Sequence, residues 1–257
     1  MLLAIDVGNT QTVVGVYDGD SLRSHWRIST HPRKTNDEWA LALSELLTIN
    51  SISLGDIGEV IISSVVPDAT QALTAMCAKT LNLVPLVVDH DTDAGIVIKT
   101  DNPAEVGADR IVNAAAAYAE YGGPAVIVDF GTATTFDVIS AQGEYLGGAI
   151  SPGIEVSMDA LFSRAARLSE IEVTMPERVV GKSTDESLRS GIVFGYAGQV
   201  DSLVTRIAAE LGQERNGLKV IATGGLAEVV LAACRTIAVH DPLLTLKGLK
   251  LIHDLNR

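Results

Sequence analysis

The chain has 257 residues, 47% of them hydrophobic, 4% aromatic and 20% charged, with 19 Lys and Arg against 32 Asp and Glu for a net charge of −13. That apolar content excludes a disordered chain, no apolar run nears the roughly 20 residues of a membrane span, and a chain this long folds without staples. The acid excess speaks against nucleic acid or an anionic membrane as partner, since both need a basic footprint; any phosphate must be held mainly by backbone amides and a metal ion.

In chain order, 2–7 reads as a buried strand, and 12–17 as a second after a Gly-Asn turn, with 24–29 completing an antiparallel meander. Helical spacing of Trp39, Leu43, Leu46 and Leu47 predicts a helix over 36–48, with Asp37 and Glu38 in its first turn. A strand over 59–65 ends before Pro67, a helix over 68–80 has Asp68 as a plausible cap, and 86–89 is a short strand. An alanine-rich helix over 109–121 stops at Gly122-Gly123-Pro124. A second meander (125–129, 134–140, 144–150) follows, then a long helix over 188–211. Strand 218–223, helix 226–233, strand 236–240 and helix 242–253 close the chain. Strands alternating with helices make this an α/β protein.

The pattern repeats. A shift of 123 positions lays Ile5-Asp6-Val7-Gly8 on Val128-Asp129-Phe130-Gly131 and Thr12 on Thr135. Two halves, residues 1–115 and 116–257, are expected, each opening on strand, Asp, Gly, hydroxyl-rich turn and strand. The N-terminus, Met-Leu-Leu-Ala-Ile-Asp, lacks a basic stretch and is not expected to be a secretory signal. Cys77 and Cys234 have no CxxC spacing and read as reduced thiols of a cytoplasmic protein, and the five histidines show no zinc-site spacing.

Asp6-Val7-Gly8-Asn9-Thr10-Gln11-Thr12-Val13 lies at a strand–turn–strand junction. It reads either as a hairpin with an Asx turn or as an anion-binding nest. In the second case Asp6 sits near Mg²⁺ and the Asn9, Thr10 and Thr12 side chains add uncharged donors. The echo at Asp129-Phe130-Gly131-Thr132 favours the nest, two turns clamping a phosphate chain across a cleft. Thr223-Gly224-Gly225 at a strand-to-helix junction suits close approach to an adenine or ribose, or is simply a turn. In Gly107-Ala108-Asp109-Arg110, Asp109 is either a helix cap or a base that takes the proton of an attacking hydroxyl, with Arg110 on a carboxylate. Val180-Gly181-Lys182-Ser183-Thr184 is not a P-loop, because Pro176 stands where that motif needs glycine; Thr184 is expected to be a helix cap.

Asp-Val-Gly-Asn-Thr at 6–10, Asp-Asn-Pro-x-x-Val-Gly-Ala-Asp-Arg at 101–110, Asp-Phe-Gly-Thr-Ala-Thr-Thr at 129–135, Gly-Gly-Ala-Ile-Ser-Pro-Gly at 147–153 and Thr-Gly-Gly at 223–225 together resemble type III pantothenate kinases over nearly the whole chain. The resemblance implies the duplicated actin-like (ribonuclease H-like) fold, with two βββαβαβα halves. It implies ATP-dependent phosphorylation of pantothenate, the first step of coenzyme A synthesis. It also implies ATP at residues 6–13, Thr132, Gly224 and Gly225, with Asp6 near Mg²⁺. Asp109 is then the base, Thr100 and Gly107–Arg110 line the pantothenate site, and Asp129 holds K⁺ or NH₄⁺. Thr184 reaches pantothenate from the neighbouring subunit of a homodimer. Thr100 stands where most such proteins carry Tyr, which touches pocket shape more than chemistry. Two other readings compete: a different small-molecule kinase or phosphatase of this fold, and a silent ATP-binding regulatory module.

Overall fold

A computed structural model describes residues 1–165, 171–213, 217–225 and 227–257. These form two compact units, one of Met1–Ala119 with Leu243–Arg257 and one of Glu120–Pro242.

The first unit opens with the meander β1 (Leu2–Val7), β2 (Gln11–Asp18) and β3 (Ser21–Ser29). Helix α1 (Asn36–Ile49) follows, then β4 (Glu59–Ser64), α2 (Pro67–Met76), β5 (Leu86–Val87), the two-residue β6 (Val97–Ile98) and α3 (Ala108–Tyr121). The sheet order is β3-β2-β1-β4-β5, antiparallel through the meander and parallel from β1 to β4 and β5. Alternation along β1 sets the two faces. Leu3, Ile5 and Val7 point to the side where Trp39, Leu43 and Leu47 of α1 pack with Ala69, Leu73 and Met76 of α2. Leu2 and Ala4 point to the other side, against Ile111, Val112 and Ala115 of α3. Thr35 caps α1 in a reciprocal box with Glu38, and α2 starts on Pro67 after Val66, so Asp68 lies in the first turn rather than at the cap.

The second unit repeats the plan with β7 (Ala125–Phe130), β8 (Ala133–Ile139), β9 (Glu144–Pro152), α4 (Ile154–Arg164), α5 (Thr184–Glu210), β10 (Lys219–Thr223), α6 (Ala227–Leu231) and β11 (Val239–His240). Its strands run β9-β8-β7-β10-β11, the order of the first sheet over again. Val126, Val128 and Phe130 pack on Val200 and Val204 of α5 and Val230 of α6. The expected start of α6 at Leu226 lies outside the described residues.

Three differences from the sequence expectation have physical causes. The last helix, α7 (Leu244–Leu255), belongs to the first unit: Leu246, Leu249 and Ile252 join the α3 face, and Thr245 donates to Asn113 Oδ1 at 2.7 Å. The division therefore falls after Ala119 and again before Leu243, not at 115/116 alone. Helix α4 was not expected, because only Ile154 of its 11 residues is buried and the apolar period is faint. Finally, the repeat slips by one residue within the turn. Val7 pairs with Thr12, whereas Phe130 pairs with Thr134, so Thr12 corresponds to Thr134 and not to Thr135. Burial agrees, since Thr12 and Thr134 are both fully buried.

Candidate functional site

In the first unit the chemistry gathers at the carboxyl ends of β1 and β4, the usual ligand edge of an open α/β sheet. Val65 N–H donates to the Val7 carbonyl at 3.1 Å, carrying the parallel pairing one step past the strands. A Cβ built on Gly107 would touch Val65 Cγ1 at 3.5 Å, which places the start of α3 at this same edge. Strand alternation puts Asp6 on the α3 side, opposite Val13 and beside Ser63 of β4. Ser63 is fully buried and its hydroxyl has no hydrogen-bond partner among the described residues; the sequence pattern, one Ser among apolar neighbours, did not single it out.

The turn after β1 closes through Gly8 N–H to the Gln11 carbonyl at 3.0 Å. Asn9, Thr10 and Gln11 are exposed on it, while Val7 is buried and offers only its backbone. Thr12 departs from expectation. Its side chain lies on the α1/α2 face, opposite to Asp6, and its hydroxyl sits 2.8 Å from that of Thr30. Thr30 also ties the turn from outside, its N–H donating to the Thr10 carbonyl at 2.8 Å.

Asp109 lies in the first turn of α3, after Gly107, whose carbonyl accepts from both Arg110 and Ile111 N–H. Its Oδ1 accepts from Arg110 N–H at 2.8 Å. Burial pushes its pKa above the ordinary aspartate value, outweighing that hydrogen bond and the Arg110 charge. A carboxylate made more basic at the mouth of a sheet is equipped to take a proton. Thr100 is half-buried, and its hydroxyl oxygen is buried without a hydrogen-bond partner among the described residues.

The second unit builds a matching edge. Gly131 N–H donates to the Ala133 carbonyl at 3.1 Å, closing the turn that exposes Thr132, and Asp129 is half-buried at the end of β7. Thr223 pairs with Asp129, so Gly224 arrives beside the carboxylate. A Cβ on Gly224 would sit 2.5 Å from Asp129 Oδ1 and 2.6 Å from the Phe130 backbone, and its φ of +94° already demands glycine. Gly225 is exposed next to it. Ser183, not Thr184, caps α5, accepting from Glu186 N–H; Thr184 is the first helical residue and is exposed. Burial pushes the thiols up, Cys77 to about 11 and Cys234 to about 12 with help from Asp201, so neither is a ready nucleophile.

No group of three or more His, Cys, Asp or Glu converges among the described residues. A cation at Asp6 would therefore draw its other ligands from phosphate and water. That donor set fits Mg²⁺, which commonly takes only one or two protein carboxylates. Asp129 Oδ1 lies beside Gly224 and the Phe130 backbone at the end of β7.

A family model described as type III pantothenate kinase matches residues 2–206. The chain is 50% identical over 257 residues to the type III pantothenate kinase of Thermobifida fusca, covering 100% of both. It is 49% identical to that of Moorella thermoacetica over 256 residues, again covering 100% of each. Among solved structures, a putative Baf family transcriptional activator from Campylobacter jejuni superposes with a TM-score of 0.60 at 20% identity, covering 99% of this chain and 98% of that one. A ROK family glucokinase from Streptomyces griseus, solved with glucose and AMPPNP, gives 0.52 at 13% identity with coverage of 99% and 98%. These two likenesses are of fold, the duplicated actin-like one.

Proposed function

The chain belongs to the type III pantothenate kinase family, and from that we infer that it transfers the γ-phosphoryl group of ATP to the primary hydroxyl of pantothenate, giving 4′-phosphopantothenate for coenzyme A synthesis. The observation that carries the residue assignment is Asp109. Its carboxylate is made more basic by burial and stands at the sheet edge that also bears Asp6 and the Gly8–Gln11 turn.

Phosphoryl transfer asks a protein mainly for positioning and charge stabilisation. The proposed roles follow from that. Asp109 accepts the proton of the pantothenate hydroxyl as the new O–P bond forms. Arg110 pairs with the pantothenate carboxylate, and Gly107, Ala108 and Thr100 line its pocket. The backbone of residues 6–11, with Asn9, Thr10 and Gln11 side chains, receives the ATP phosphates, and Thr132, Gly224 and Gly225 contact the nucleotide. Asp6 would hold Mg²⁺ and Asp129 a K⁺ or NH₄⁺ ion, which when bound neutralise phosphate charge that an acidic chain cannot. We further propose a cytoplasmic homodimer in which Thr184 acts from the neighbouring subunit. Exposed Ile150, Val156, Met175, Val179 and Val180 are apolar side chains of the second unit that a second copy would cover. No helix among the described residues is long and apolar enough to cross a membrane.

The test is ADP release by the purified protein with ATP, Mg²⁺ and K⁺, with and without pantothenate. Release that depends on pantothenate is the expected result. ATP binding without such release overturns the acceptor assignment and directs attention to Thr100.

A further inference from the structure

We infer that Thr30 is a positioning residue for the first phosphate turn, locking the backbone of residues 8–11 through its amide and its hydroxyl together. The inference rests on the assignment of that turn to ATP. Thr30 follows β3, an edge strand, and is 8% exposed. Its N–H donates to the Thr10 carbonyl at 2.8 Å, inside the turn, and its hydroxyl meets that of Thr12 at 2.8 Å, where the returning strand begins. The two bonds straddle the segment whose amides are to face phosphate. The hydroxyl bridge lies on the apolar α1/α2 face, where a hydroxyl deprived of its partner is costly, so the bridge resists opening.

The second unit is an internal control. Gly153 N–H donates to the Thr132 carbonyl at 3.1 Å, reproducing the amide bond. Gly153 has no side chain, however, and a Cβ there would overlap the Gly131 and Thr132 carbonyl oxygens. The hydroxyl of Thr134, the counterpart of Thr12, is accordingly buried with no hydrogen-bond partner among the described residues. The duplicated hairpin thus forms without a hydroxyl bridge, so the bridge is not a requirement of the fold. It is an addition to the first turn alone. An acidic chain that relies on amide directions gains from holding them fixed, since a misplacement of about 1 Å can cost up to 10²-fold in rate.

The experiment compares Thr30→Val, Thr12→Val, their double variant and Thr30→Ser with the wild type, after thermal melts establish that each is folded at the assay temperature. KM and kcat for ATP and for pantothenate are measured, with dissociation constants for AMPPNP as a readout apart from turnover. Thr30→Val should raise KM for ATP and the AMPPNP constant by roughly tenfold while KM for pantothenate stays within about twofold. Thr30→Ser, which keeps the hydroxyl, should restore both, and the double variant should lose no more than either single one. Unchanged nucleotide constants in Thr30→Val, or equal losses for both substrates, overturn the inference. Should Thr30→Val fail to fold, Thr12→Val removes the other half of the bridge and is read by the same criteria. A wild type that binds no nucleotide overturns the ATP assignment and the inference with it, whereas an active wild type with indifferent variants overturns the inference alone.

Discussion

Asp109 carries opposite demands. Burial raises its pKa above the ordinary value, so between the two values the native state binds more protons than the unfolded chain. Its contribution to stability is therefore fully present below the unfolded pKa and is lost as pH rises through the native one. Asp109→Asn is expected to melt above the wild type at neutral pH, with the difference shrinking toward pH 4; a variant that melts lower at neutral pH contradicts this sign. The same substitution should lower kcat by roughly 10²–10⁴-fold, the span of general-base catalysis, while AMPPNP affinity is kept. Near-full turnover in that variant removes Asp109 from the base role. Gly224 is constrained differently, by space and by φ. Gly224→Ala should cost about 2–4 kcal/mol in denaturant unfolding, from overlap with Asp129 and Phe130 together with a strained left-handed backbone. A cost below about 0.5 kcal/mol would mean that β10 and β7 can part at no expense.

At the scale of elements, α7 is the piece that completes the first core. Leu249 is fully buried among Ile111, Val112 and Ile61, and Leu249→Ala is expected to destabilise the first unit by about 2–5 kcal/mol. Hydrogen exchange should report it in β1, β2, β4 and α3, with the second unit unchanged; faster exchange in β7 and β10 instead would contradict the assignment of α7. The meanders, α1, α3 and α5 were legible in the sequence because their apolar spacing is dense and bounded by Gly, Pro or cap residues. The return of α7 was not, since periodicity shows that a helix has an apolar face but not which sheet covers it. The one-residue slip of the repeat was hidden because a three-residue and a four-residue turn each keep the Asp and Gly at the same offset. In the candidate site, Asp6, Asp109 and Gly224 stand out by residue type and spacing, and the structure sets them near strand ends or at a helix start. Thr12 reads in the sequence as a hydroxyl beside the turn, and only strand alternation shows that it takes the face opposite to Asp6. Thr30 and Ser63 carried no motif at all, their significance arising from strands that meet only in the fold.

For the molecule as a whole, the net charge of −13 makes cations part of any phosphate chemistry. The proposed role of Asp129 predicts that turnover rises several-fold with added K⁺ or NH₄⁺ over Na⁺, and that Asp129→Asn flattens the response. Turnover indifferent to these ions in the wild type removes the cation from Asp129. The two-unit division has a consequence of another kind. Residues 120–242 form a continuous stretch, whereas the first unit needs residues 243–257 to cover one face of its sheet. During synthesis the residues of the second unit emerge as one run, whereas the α3 face of the first is completed by a segment translated after its neighbour. The α1/α2 core of the first unit needs nothing from beyond residue 119, so it is the α3 face alone that stays uncovered until the chain's last helix is made.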